Sequence, residues 1–114
     1  MDLHIGNTIY DLVATERNGH FVAHALRGEH RDRFGIETSG SSAAEALDRL
    51  TRWLEWQHAH TEALAALQQA ERVYHRAMAD AAFGASELGE ASRAALEALN
   101  AARARLDEVR GRRP

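Results

Sequence analysis

Four groups of residues in this chain have the types and spacing to do chemistry, and each has a plainer structural explanation beside it. Glu55-Trp56-Gln57-His58 has the Glu-x-x-His spacing that di-metal carboxylate bundles use, with Glu62 four residues beyond His58 on the same helical face. Glu71 and His75 repeat the four-residue spacing. A bundle of that type needs two such motifs, and this chain carries one Glu-x-x-His, so solvated polar residues account for Glu55, His58 and Glu62. No cofactor or metal is expected. His20 and His24 share one strand face with Arg17 and Asp11 nearby, a set that could titrate near neutrality, although ordinary exposure of a polar sheet face explains it as well.

Trp53 and Trp56, three apart, are the only tryptophans. Large aromatics that follow Leu47 and Leu50 on a helix pack against a sheet, which places Trp53 in the core and leaves Trp56 for an interface where the sheet runs out. Arg103, Arg105, Arg110, Arg112 and Arg113 gather near the end of the chain and could contact phosphates. Asp107 and Glu108 interrupt them, and arginines near a helix C-terminus also complement its dipole, so nucleic acid is not an expected partner. Serines fall mainly in turns and caps, without a nucleophile elbow or an oxyanion motif, so a non-enzymatic protein is expected.

Composition narrows the choice. All 14 basic residues are arginine and cysteine is absent, which excludes a phosphate-loop lysine, Schiff-base chemistry, thiolate metal sites and disulfides. Met1 to Asn7 lacks the apolar stretch of a secretory signal, and no segment approaches the roughly 18 apolar residues that span a bilayer. A soluble cytoplasmic protein without membrane contact is therefore expected. The 114 residues are 45% hydrophobic, but 23 of them are alanine, whereas Leu, Ile, Val and Phe together number 22. Such a chain has little bulk with which to fill a core.

The elements that must position these residues fall into one α+β domain, 1–114, with three regions. In residues 1–40, Ile9 to Glu16 and Phe21 to Leu26 flank Asn18-Gly19, the strongest short hairpin signal because both turn positions need positive φ. A two-residue turn there pairs Arg17 with His20, Glu16 with Phe21, Ala14 with Ala23 and Leu12 with Ala25. The core face is then Tyr10, Leu12, Ala14, Phe21, Ala23 and Ala25; Phe34 to Thr38 adds a short third strand, completing a small antiparallel three-stranded sheet. In residues 41–83, Ser42 and Glu45 form a capping box, and a run without proline or glycine to Phe83 predicts one long helix, with His58 to Thr61 its weakest stretch. In residues 84–110, after Gly84 and a possible Ser86 cap, a second helix folds back as an antiparallel helical hairpin; residues 111–114 read as a disordered tail.

The hairpin seam is predicted from Leu64, Leu67, Glu71, Tyr74, Met78 and Ala81 on one side and Leu88, Ser92, Ala95, Leu99, Ala102, Leu106 and Val109 on the other. A second stripe, Ala63, Ala66, Ala70, Val73 and Ala77, is then left over. Together with Trp56 it predicts a homodimer interface, a second copy supplying the missing helices of a four-helix bundle. A homo-oligomeric protein-interaction module follows, with a metal-binding helical-bundle enzyme as the alternative that Glu55 and His58 would serve.

One stretch resembles a known family. His20 to Leu26 (HFVAHAL), then Gly35-Ile36-Glu37-Thr38, then Ser42 to Leu50 (SAAEALDRL) are similar to the core of HicB-like antitoxin domains, over residues 9–56. The resemblance implies a three-stranded sheet with one helix packed on it, a dimer, and a toxin-like protein or RNA partner. Two features depart from the family: Gly28 to Arg33 replaces its proline-rich strand connection, and no C-terminal DNA-binding module is evident.

Overall fold

The computed structural model describes residues 1–82 and 88–114. Its elements are β1 (Asp2–Ile5), β2 (Thr8–Arg17), β3 (His20–Arg27), β4 (Asp32–Gly40), α1 (Ala43–Ala82) and α2 (Leu88–Gly111). The strands form one antiparallel sheet in the order β1-β2-β3-β4. This corrects the three-stranded expectation: the additional strand is β1, which pairs Leu3 with Tyr10 and Ile5 with Thr8 at the edge of β2. Its connection to β2 is a two-residue turn, Gly6-Asn7, with Gly6 at φ 58° in a region where only glycine is free of strain.

The β2–β3 hairpin has the register that its turn dictates. Arg17 faces His20, Ala14 faces Ala23 and Leu12 faces Ala25, while Asn18 and Gly19 both have positive φ, as a type I′ turn requires. β4 is longer than expected, running through the polar Asp32 and Arg33 and on to Gly40. Its pairing steps from His24 opposite Glu37 to Ala25 opposite Phe34, so Gly35 and Ile36 form a bulge in this edge strand.

The chain divides into two compact units, Met1–His58 with Arg113–Pro114, and Ala59–Arg112. In the first, one face of the sheet is packed by the start of α1. The core comprises Ile5, Leu12, Ala23, Ala25, Ala46, Leu50 and Leu54, with Tyr10, Phe21, Phe34, Ile36 and Leu47 packed around it. Four of these, Ala23, Ala25, Ala46 and Leu50, are completely buried, and as three of the four are alanine, sheet and helix meet largely through methyl groups.

The start of α1 is fastened to the end of β4. The Ser42 hydroxyl accepts the Glu45 amide at 3.1 Å, while the Glu45 carboxylate accepts from Ser41 rather than completing the expected box with Ser42. The Thr38 hydroxyl donates to the Ala46 carbonyl at 2.7 Å, and Arg49 donates to the Ser39 carbonyl at 2.8 Å. Gly40 is buried at this junction, and a Cβ there would lie 2.8 Å from the Ala46 backbone nitrogen.

The second unit is the helical hairpin. α1 continues unbroken through His58 to Thr61 as one 40-residue helix. On α2 the buried residues are Ala95, Leu99, Leu106 and Val109, all on the seam predicted from spacing, with Ser92 and Ala102 half-buried. On α1 the buried line is rotated from the prediction. Ala63 and Ala77 are buried; Leu64, Leu67, Glu71 and Tyr74 of the predicted seam are half-buried, as is Ala70, whereas Met78 is 46% exposed. The fully buried positions on this stretch of α1 are thus alanines, and the larger side chains are only half-buried or exposed. The expected turn at Phe83-Gly84-Ala85 and cap at Ser86 lie outside the described residues, as do the side chains of Ala81 and Leu88.

Gly40 and Gly89 behave oppositely. Gly40→Ala drives a methyl group into backbone that cannot yield without moving α1 off the sheet, and should lower unfolding free energy by about 1–3 kcal/mol. Gly89→Ala, in α2 with nothing within 4 Å of the added Cβ, should raise it by about 0.4–1 kcal/mol. Urea unfolding of both variants checks the pair.

Candidate interaction surface

Trp53 and Trp56 stack edge to face on α1, their ring centroids 5.8 Å apart at 83°. This geometry sets the positive edge of one indole against the negative face of the other. Trp53 does not enter the core as expected; both rings are half-buried, and the core positions of this stretch belong to Leu50 and Leu54. The Arg113 guanidinium carbon lies 5.3 Å from the Trp53 ring centroid and 5.8 Å from that of Trp56, within cation–π range of both. Gly111 ends α2, and the Arg113 side chain lies over the indole pair.

The alanine stripe proposed for an interface divides in two. Ala63 and Ala77 are buried within the single chain and Ala70 is half-buried, whereas Ala66 and Val73 are exposed. Met78 and Leu96 are exposed as well, so large apolar groups do face outward from the helical hairpin.

The sheet face away from α1 carries Ile9, Val13, Val22 and Leu26 among polar residues. Ile9 is exposed and the other three are half-buried. His24 lies opposite Val13 and Glu37, and His20 opposite Arg17 at the end of the hairpin. At the other end, an open groove of about 670 Å³ is lined by Thr8, Ile9, Asp11, Leu26, Arg27 and Arg31, among others. Sequence reasoning missed this groove, although Ile9 and Leu26 on the more polar face were its signal. Arg31 donates to the Asp11 carboxylate at 2.6 Å, and this hydrogen bond, with the attraction of the same guanidinium, holds the Asp11 carboxyl below the usual aspartate range.

The metal candidates do not assemble into a site. Glu55 and Glu62 are exposed, and His58 packs over Gly6, where a Cβ would meet its ring at 3.0 Å. Among the described residues, no three histidine, aspartate or glutamate side chains come together as a metal-binding group. Of the arginine cluster, Arg105 and Arg112 are both paired with Glu108, and Arg103 and Arg110 are exposed. Arg110 sits in the last turn of α2, where it complements the helix dipole. No described helix is long and apolar enough to cross a membrane.

Comparison of the chain with protein-family models, with curated proteins and with solved structures finds no match in any of the three.

The Asp11–Arg31 pair yields a directional test. The Asp11 carboxyl-carbon NMR signal should titrate below the ordinary aspartate midpoint, and in Arg31→Gln that midpoint should move up. An unchanged midpoint would show that the pair does not hold in solution.

Proposed function

We propose that this chain is a non-enzymatic protein-interaction module of the cytoplasm that associates with a second copy of itself through its helical hairpin. The observation that carries this is the outward placement of Val73, Met78 and Leu96, each more than 40% exposed on the second unit. Exposed aliphatic and thioether groups of this size, set among alanines on a regular helical surface, are what a partner helix packs against. Ala66 and Val73 are the part of the expected interface stripe that the single chain leaves uncovered.

An antitoxin-like regulator holding a toxin-like protein or an RNA is the alternative. It draws on the order β2, β3, β4 and α1, in which a capped helix begins directly after the last strand and packs on the sheet. β1 is then an addition at the edge beside β2. Co-purification from the native host, with a small toxin-like partner retained, separates this alternative from self-association.

Sedimentation of the full chain at micromolar concentration should give a dimer. Val73→Glu with Leu96→Glu should leave helix content unchanged and shift the equilibrium to monomer by at least tenfold in dissociation constant. A well-folded monomer before substitution contradicts the proposal.

A further inference from the structure

Among the described residues, Arg27 and Arg113 both lie over aromatic rings, Arg27 at 4.9 Å from the Phe34 centroid. Arg31, Arg33, Arg49, Arg52, Arg105 and Arg112 each have a carboxylate partner. Arg113 instead lies over two indole rings held edge to face. The receptor and its occupant differ in how firmly they are placed. Trp53 and Trp56 project from the interior of α1, beside Leu54, which is 2% exposed in the core. Arg113 is exposed and follows the last helical residue of α2, next to Arg112, whose amide donates to the Val109 carbonyl at 3.1 Å. The aromatic pair stands on a helix and its occupant lies beyond the end of one, so the occupant can leave without unfolding either helix.

We propose that Trp53 and Trp56 form a guanidinium-binding site, filled in the resting chain by Arg113, that takes the arginine side chain of a partner polypeptide when Arg113 is displaced. The bound pose of Arg113 defines the ligand chemistry. A planar, weakly hydrated cation lies over indole faces, which favours arginine over the compact and strongly hydrated lysine ammonium. Arg113 competes with any external arginine at the high effective concentration of a tethered group, so the site is self-masked. This does not depend on self-association through the hairpin.

The two indoles are the only ones in the chain, so tryptophan fluorescence, excited selectively over that of Tyr10 and Tyr74, reports this site alone. The test compares the full chain with Arg113→Gln, titrating acetyl-Gly-Arg-Arg-Pro-amide and its lysine counterpart. Arg113→Gln should keep the circular dichroism of the parent, change the tryptophan emission, and recover it saturably with the arginine peptide. The parent should bind that peptide roughly 2- to 30-fold more weakly, the factor expected from one cation–π contact. Emission unchanged by Arg113→Gln, equal binding by parent and variant, or equal binding of the lysine peptide would each overturn the proposal. Arg113→Lys, which keeps the charge, serves if the glutamine variant loses its fold: it should bind the arginine peptide more tightly than the parent does, and equal binding overturns the proposal.

Discussion

Close packing of α1 on an alanine-lined sheet is the interaction on which the first unit depends. Ala23 and Ala25 of β3 and Ala46 of α1 are each completely buried, and Ile5, Leu12, Leu50 and Leu54 supply the bulk at the centre. With so little volume to fill, the helix must lie near the strands, and a glycine is needed where the chain turns from β4 into α1. Gly40 meets that need, with the Ala46 nitrogen and the Glu45 side chain crowding the place where its Cβ would be. Thr38 and Arg49 fix the same junction by hydrogen bonds across it. The acid side of this junction follows from the same contacts. Bonds from Ser41 and the nearby Arg49 hold the Glu45 carboxyl below its ordinary range, so the stability they confer is present above the ordinary glutamate range and fades as pH falls through the lowered value.

α1 also serves the second unit, and there too alanine governs. Ala63 and Ala77 are buried against the seam formed with α2, and Leu67 and Tyr74 flank them. The buried positions of the two stretches do not form one continuous stripe, which is why the helix as a whole is only weakly amphipathic although each half packs well. The consequence for function is a surplus of larger apolar groups. Where alanines take the contact line, Val73, Met78 and Leu96 are left facing outward.

Much of this was legible in the residues, and the failures have physical causes. Asn18-Gly19 specified both the turn and the register of β2 with β3, because a two-residue turn with positive φ at both positions leaves no other pairing. The cap at Ser42 and the absence of proline or glycine beyond it gave α1 its start and its continuity. β1 was missed because only Leu3 and Ile5 are apolar in it, yet Gly6-Asn7 between Ile5 and Thr8 is itself a hairpin turn. The α1 seam was misplaced at Met78 because spacing favours the larger residue, whereas the fully buried positions there fall to Ala63 and Ala77. Nothing in the spacing of Trp53 and Trp56 indicated that an arginine 57 residues beyond Trp56 would cover them, since that contact depends on where α2 ends.

The central claim is that one helix supports two separately packed units. Native-state hydrogen exchange followed residue by residue along α1 tests it most directly, because each cooperative unit opens with its own free energy. The amides of Ala46 to Leu54 should exchange in common with those of β2 and β3. Those of Ala63 to Ala77 should exchange at a different level, shared with Ala95 to Val109, and the change should fall near His58 and Ala59. A single level of protection along the whole of α1, shared by sheet and α2 alike, would contradict this account.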